Sequence, residues 1–177
     1  MHICLQSGSD HVLQQMHRKY TVEDFVNLCK YARRKIKNLA ITTDVIVGFP
    51  TETNEDFNAT INNLKKVKFA NIHLFPYSSR PFTTASKLKN IVSDTLKKQR
   101  FMKIMDLNNQ LQKDFLKKFV GQTVQVIFEN SKEKDIQVGH SEYAFTVKVK
   151  TMRNLHKQLR SVSVTKLVDK QLFGQLV

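Results

Sequence analysis

The stretch LAITTDVIVGFPTETNEDFNATINNLKKV, residues 39–67, decides the fold of the first part of the chain. Its front half is rich in β-branched residues and stops at Gly48 and Pro50, as a strand buried on both faces of a parallel sheet would. Its back half opens with the capping signature Thr53 to Asp56 and continues as a helix to about Val67. Working outward, TVED at 21–24 repeats the signature, and Phe25, Leu28, Cys29, Ala32 and Ile36 recur at helical spacing, predicting a helix over about 22–37. His2–Gln6 reads as a strand, with Ser9 capping a short helix to Met16, and NIHLFP, 71–76, reads as a third strand. Strand, helix, strand, helix, strand implies parallel pairing with right-handed crossovers.

Ser93 caps a long amphipathic stretch whose apolar stripe is marked by Leu96, Met102, Met105, Leu107, Leu111, Phe115 and Phe119. From Val120 the period changes to two: TVQVIFE, YAFTVKVK and SVSVTKLV are short alternating strands between polar or glycine turns. The expected organisation is an α/β unit over residues 1–92, a connecting helix over 93–118 and a small β-barrel-like module over 119–177.

Composition narrows the function class. Lys and Arg number 29 against 15 Asp and Glu, a net charge of +14 that favours polyanionic partners, nucleic acid first and membrane surface second. The bland alternative is a solvated basic surface in a Lys- and Asn-rich chain. No stretch approaches the roughly 18 apolar residues a membrane span requires, and the expectation is a cytoplasmic protein. Cys4 and Cys29 are the two cysteines; each sits in an apolar periodic segment, which predicts reduced, buried side chains and no metal site.

Each predicted parallel strand ends in a polar or glycine-marked cluster: Gln6, Ser7 and Gly8 after the first, Gly48, Phe49 and Pro50 after the second, Tyr77, Ser78 and Arg80 after the third. All three fall at the C-terminal edge of the sheet, where β/α barrels bind ligands.

HICLQSGSDHVLQQMHRKYT, ITTDVIVGFPTET, KFANIHLFPYSSRPFTTA and the basic β module after GQTVQV resemble, in order and spacing, the second half of the radical S-adenosylmethionine (SAM) methylthiotransferases that modify tRNA. RKYT and the KF-x-x-x-H-x-FPYS block look most like the branch acting on threonylcarbamoyladenosine beside the anticodon; the isopentenyladenosine branch stays open. The resemblance implies the C-terminal half of a partial (β/α) radical SAM barrel followed by a TRAM domain, a small oligonucleotide-binding β-barrel that grips tRNA. It further implies that Gln6, Ser7, Gly8, Asp44, Ile46, Val47, Gly48 and Tyr77 contact SAM, Ile46 and Val47 lying near the adenine. Arg18 would pair with the SAM carboxylate through its bidentate fork. Asp44 is open to a second reading, as a polar group tied to a neighbouring strand.

In the barrel module, Lys148, Lys150, Arg153, Lys157, Arg160 and Lys166 would contact phosphates, with Tyr143 as a stacking candidate and Phe128 and Phe145 read as core. The CxxxCxxC loop holding the family's catalytic iron–sulfur cluster has no counterpart here, so no catalytic residue is assigned and the chain alone is expected to be inactive. The clusters would come with the missing N-terminal portion of the same enzyme. An RNA-binding module in its own right and an inactive truncated product are the rival readings. Cys4 stands where the family usually has proline, Thr51 and Phe82 where it usually has glycine, and Tyr143 one position before its usual aromatic.

Overall fold

A computed structural model of the chain describes residues 1–131 and 135–177. It divides into two compact units, Met1–Leu111 and Gln112–Val177. Among the described residues no helix is long and apolar enough to cross a membrane.

In the first unit the order is α1 (Asp10–Gln15), α2 (Val22–Lys35), β1 (Thr42–Val47), α3 (Asn54–Val67), β2 (Asn71–Pro76) and the start of α4 (Asp94–Lys117). Local chemistry sets the helix starts. Ser9 accepts from the Val12 N–H at α1, and full capping boxes join Thr21 to Asp24 and Thr53 to Asp56. Each helix then buries a periodic face: Val22, Phe25, Val26, Cys29 and Ala32 on α2, Phe57, Thr60, Leu64 and Val67 on α3. The α3 C-terminus is closed from a distance, since Arg33 donates to the Val67 and Lys68 carbonyls.

β1 and β2 pair in parallel, with Thr42 opposite Asn71 and Val47 opposite Pro76. The N-terminal segment lies beside β1 through bridges at His2–Thr42 and Gln6–Val45 but does not form the regular strand expected over His2–Gln6. Leu5 N–H donates to the Thr43 hydroxyl instead of to a carbonyl, and Gln6 turns to φ 69°, which ends the extended run. A second correction concerns β1, which is buried on one face only. Thr43, Val45 and Val47 enter the core while Thr42, Asp44 and Ile46 are half-buried, because the helical core cluster, including Leu13, Phe25, Leu64 and Ile104, packs on one side of the sheet. Both flanks of the sheet receive side chains. The Tyr20 hydroxyl donates to the Cys4 and Leu5 carbonyls, and Asn108 of α4 accepts from the Ile72 N–H (2.9 Å) and donates to its carbonyl (3.1 Å), imitating a further strand.

The buried line of α4 is Arg100, Ile104, Asn108, Leu111 and Phe115, so two polar residues stand where an apolar stripe was expected and Met102 is exposed. Cys29 is buried as expected, whereas Cys4 is exposed on the half-open face of the sheet.

In the second unit, β3 (Thr123–Phe128), β4 (Ile136–Ser141), β5 (Thr146–Lys150), β6 (Leu159–Val168) and β7 (Gln171–Leu176) close into a barrel in the order β3-β4-β5-β7-β6. All pairs are antiparallel except β5–β7. Alternation places Val124, Val126, Phe128, Val147, Val149, Val162, Val164 and Leu172 inside. β4 and β7 were not anticipated; IQVGHS and QLFGQL are short and interrupted by glycine, and only closure of the barrel gives them partners. Tyr143 lies in the β4–β5 turn, ahead of Ala144 at φ 64°, and packs on Phe119 and Phe145.

Candidate functional site

The half-open face of the parallel sheet carries a pocket of about 500 Å³ lined by Gln6, Asp44, Ile46, Phe49, Phe75, Pro76, Tyr77, Ser78 and Arg80. Strand pleating explains the set: Asp44 and Ile46 are alternate residues of β1, and register places them beside His73 and Phe75 of β2. The loops after β1 and β2 meet where the Tyr77 N–H donates to the Val47 carbonyl (2.8 Å) and the Tyr77 ring meets Phe49 edge-on, centroids 5.3 Å apart. The Tyr77 hydroxyl is buried without a hydrogen-bond partner. The chemistry is mixed, an apolar floor of Ile46, Phe49 and Phe75 with Gln6, Asp44 and Arg80 around it, suited to a ligand with a flat apolar body and polar ends. A second pocket of about 370 Å³ shares Pro76 and Tyr77 and is otherwise lined by Asp94, Lys97, Lys98 and Phe101 of α4; its charged pair, Lys97 and Asp94 at 2.9 Å, is already satisfied.

A buried ion pair shapes the loop after β1. Glu52 and Arg100 are each about 3% exposed at the side chain and are joined directly. Arg100 also donates to the Glu52 carbonyl (3.1 Å) and the Asn54 side chain (2.9 Å), and stands 5.3 Å from the Phe57 ring centroid. Gly48, at φ 74°, donates its N–H to both Glu52 carboxylate oxygens. Burial raises the Glu52 pKa, while the Arg100 charge pulls it down. Sequence reading missed this pair; Glu52 reads as an ordinary loop acid, and an Arg on a helix reads as solvated. Thr51, held by a bond from its N–H to the Asn90 carbonyl (3.1 Å), sits at φ 75°, and Phe82 at φ 66°. Both thus keep a backbone conformation that glycine adopts more easily.

The QSGS loop is anchored differently. Asp56 caps α3 and also accepts from the Ser9 hydroxyl (2.5 Å) and meets His11 Nδ1 at 2.9 Å. Burial alone would raise its pKa, but the hydrogen bonds from Ser9, Thr53 and His11 outweigh it and bring the carboxyl down to about 2. Gly8 donates to the Thr60 hydroxyl (3.1 Å), and a Cβ there would lie 2.6 Å from the Thr60 Cα, so only glycine lets the loop touch α3 this closely.

The residues expected at the cofactor site therefore separate. Gln6, Asp44, Ile46 and Tyr77 line the pocket together. Arg18 is exposed and reaches it indirectly, donating to the Gln6 side chain at 3.3 Å. Ser7 and Val47 are each 1% exposed, Val47 within the apolar core, and Gly8 and Gly48 act through their backbones in loop packing.

On the barrel, Lys150, Arg153, Lys157, Arg160 and Lys166 are exposed and Lys148 is half-buried. Phe128 and Phe145 are buried, as read from the sequence. Unexpected is Phe173. It is the register partner of both Lys148 on β5 and Lys166 on β6, so a half-buried aromatic stands between two cations on the outer surface, with the Lys166 Nζ 5.4 Å from its ring centroid. Recognising β7 as a strand was the missing signal.

Residues 1–64 match the radical SAM superfamily. Over the full chain, identity is 37% to the tRNA-2-methylthio-N(6)-dimethylallyladenosine synthase of Acetivibrio thermocellus and 34% to the threonylcarbamoyladenosine tRNA methylthiotransferase of Bacillus subtilis. The chain spans 37% and 40% of these two relatives. In fold it is similar to coproporphyrinogen III oxidase from Escherichia coli, a radical SAM enzyme, with a TM-score of 0.55 at 16% identity, covering 78% of this chain and 40% of that one. By sequence, the chain is similar along its whole length to enzymes named as tRNA methylthiotransferases, and it spans less than half the length of each of these two.

Proposed function

We propose that this chain is the C-terminal portion of a tRNA methylthiotransferase: Met1–Leu111 supplies the later part of a radical SAM barrel and Gln112–Val177 a TRAM-type barrel that holds tRNA. The observation that carries this reading is similarity along the whole chain, at 37% and 34% identity, to enzymes with that named activity. The pocket on the sheet fits the adenosyl end of SAM. Ile46 and Phe49 offer flat apolar contact, Gln6 and Asp44 offer hydrogen bonds, and the orphaned Tyr77 hydroxyl would gain a partner. Arg18, beside Gln6, is positioned to meet a carboxylate.

When bound, SAM would supply the radical and the methyl group. The chain's own part is to bind and orient. Two cysteines, one of them buried in α2, cannot hold an iron–sulfur cluster, so the clusters belong to the portion of the relatives that this chain does not span. Threonylcarbamoyladenosine is the base favoured by the RKYT and KF-x-x-x-H-x-FPYS blocks. The barrel would position the tRNA by its phosphates, through Lys148, Lys150, Arg153, Lys157, Arg160 and Lys166, leaving base choice to the α/β unit.

The test is tRNA binding by the purified chain, followed by fluorescence anisotropy across a salt series. Affinity should fall steeply with salt through counterion release. Reversing Lys148, Lys150 and Lys166 together to Glu should weaken binding to all tRNAs alike and flatten the salt slope, with circular dichroism unchanged. Absence of binding at low salt, or binding indifferent to salt, rejects the tRNA-holding role.

A further inference from the structure

On the half-open face of the sheet, three side chains of metal-ligand type converge. His2 Nε2 lies 3.3 Å from Asp44 Oδ2, Cys4 Sγ lies 3.3 Å from the same oxygen, and Cys4 Sγ lies 3.3 Å from His2 Nε2. The three atoms form a nearly equilateral triangle drawn from two separate stretches of chain. A tetrahedral ion with bond lengths of about 2.0–2.3 Å to nitrogen, oxygen and sulfur holds its ligand atoms roughly 3.3–3.6 Å apart. The triangle thus has the dimensions of one face of such a site before any ion enters.

A second observation concerns His2 alone. Its other ring nitrogen, Nδ1, is 2.9 Å from the Thr42 hydroxyl, which can accept from the nitrogen that does not bind metal and so orient a ligating imidazole. With Nδ1 protonated and donating to Thr42, Nε2 presents its lone pair to the triangle. The side chains of His2 and Asp44 are 44% and 28% exposed, so an ion can enter from solvent. His73 stands next, register partner of Asp44, its ring centroid 5.6 Å from that of His2.

We propose that His2, Cys4 and Asp44 form a binding site for a borderline-soft divalent cation, zinc in the first instance, with Thr42 positioning His2 and with water or His73 in the fourth place. One thiolate, one imidazole and one carboxylate suit zinc and exclude an iron–sulfur cluster, which requires several thiolates. Binding is a proton exchange: the Cys4 S–H bond breaks, a sulfur–zinc bond forms, one proton leaves to solvent, and nothing is oxidised or reduced. The site shares Asp44 with the pocket proposed for SAM, and its test is read without SAM or tRNA.

The experiment uses the 177-residue chain, stripped with chelator and carrying no tag residues before Met1, titrated anaerobically with Co2+ as a spectroscopic stand-in for zinc. One equivalent should release one proton and give the visible bands of tetrahedral cobalt and a thiolate-to-cobalt charge-transfer band, both discharged by one equivalent of Zn2+ with no further proton release. Cys4→Ser should abolish the charge-transfer band while Cys29→Ser keeps it. His2→Gln and Asp44→Asn should each weaken zinc at least about tenfold, and Thr42→Val should weaken it by about tenfold while leaving the band in place. Circular dichroism checks that each variant is folded; all the substituted ligands are at least partly exposed. A missing band, a band that survives Cys4→Ser, or one lost in Cys29→Ser instead overturns the site.

Discussion

The two units place their polar chemistry in opposite ways. In the α/β unit, charged and polar side chains go inside: Glu52, Asp56, Thr60, Arg100 and Asn108 are buried, and each ties a loop, helix end or strand edge to a distant element. In the barrel, no charged residue among those described is buried, Gln137 and Ser141 are the buried polar ones, and the cations stand on its outer surface. The contrast teaches what each unit has to build. A pocket at the end of a sheet needs loops held in one conformation, and buried hydrogen bonds supply that directionality where apolar packing cannot. A basic surface of the kind proposed to hold tRNA needs charge density and a stable support, which an alternating barrel provides at little internal electrostatic cost.

Breaking the inside pair should have the largest effect. Glu52→Ala leaves Arg100 buried and uncompensated and should destabilise the α/β unit by about 3–5 kcal/mol, read as loss of its urea-unfolding transition while the barrel's transition stays in place. If both transitions move together, the two units do not differ in the way described.

Next comes Asp56, whose effect carries a sign in pH. Its carboxyl sits at about 2 in the folded chain against an ordinary 3.8, so it contributes stability fully above about 4 and loses it as pH falls towards 2. The shift corresponds to about 2 kcal/mol. Asp56→Asn should therefore lower stability near neutrality by roughly that amount and flatten the acid limb of the stability profile, measured by urea titration at a series of pH values.

The outside of the barrel should behave in the reverse manner. Phe173→Ala should change barrel stability by less than about 1 kcal/mol yet weaken single-stranded RNA binding about tenfold, by loss of a stacking surface between Lys148 and Lys166. A large stability loss with unchanged RNA binding would show that Phe173 is packing, as Phe128 is.

The smallest expected effect is a gain. Thr51 is β-branched, lies at φ 75° and buries its hydroxyl without a partner. Thr51→Gly should stabilise the α/β unit by about 1 kcal/mol, less the added freedom of glycine in the unfolded chain. No change in melting temperature would mean that the bond from Thr51 N–H to Asn90 already absorbs the strain.

Much of the fold was legible because its signals are local. The capping boxes at Thr21 and Thr53 join residues three apart, the β1 run is continuous, and the change from helical period to period two marks where the barrel strands begin, past the end of α4. The pocket was legible in part. Gln6 and Tyr77 stand out as strand-end residues, whereas Asp44 and Ile46 came only from the family resemblance, and Ser7, Gly8 and Val47 could not be sorted from them without knowing which way each side chain points.

By itself the sequence determined the helix starts, the two parallel strands and the basic, alternating character of the last third, all consequences of hydrogen bonding and burial within a few residues. Tertiary structure alone decided that Arg100 reaches Glu52, that Asp56 serves Ser9 and His11 as well as its own helix, that β7 closes between β5 and β6, and that Cys4 meets His2 and Asp44. Cys4 and Asp44, or Glu52 and Arg100, are 40 and 48 residues apart, and contacts at that separation leave no periodicity to read; they exist only once packing has brought the chain segments together.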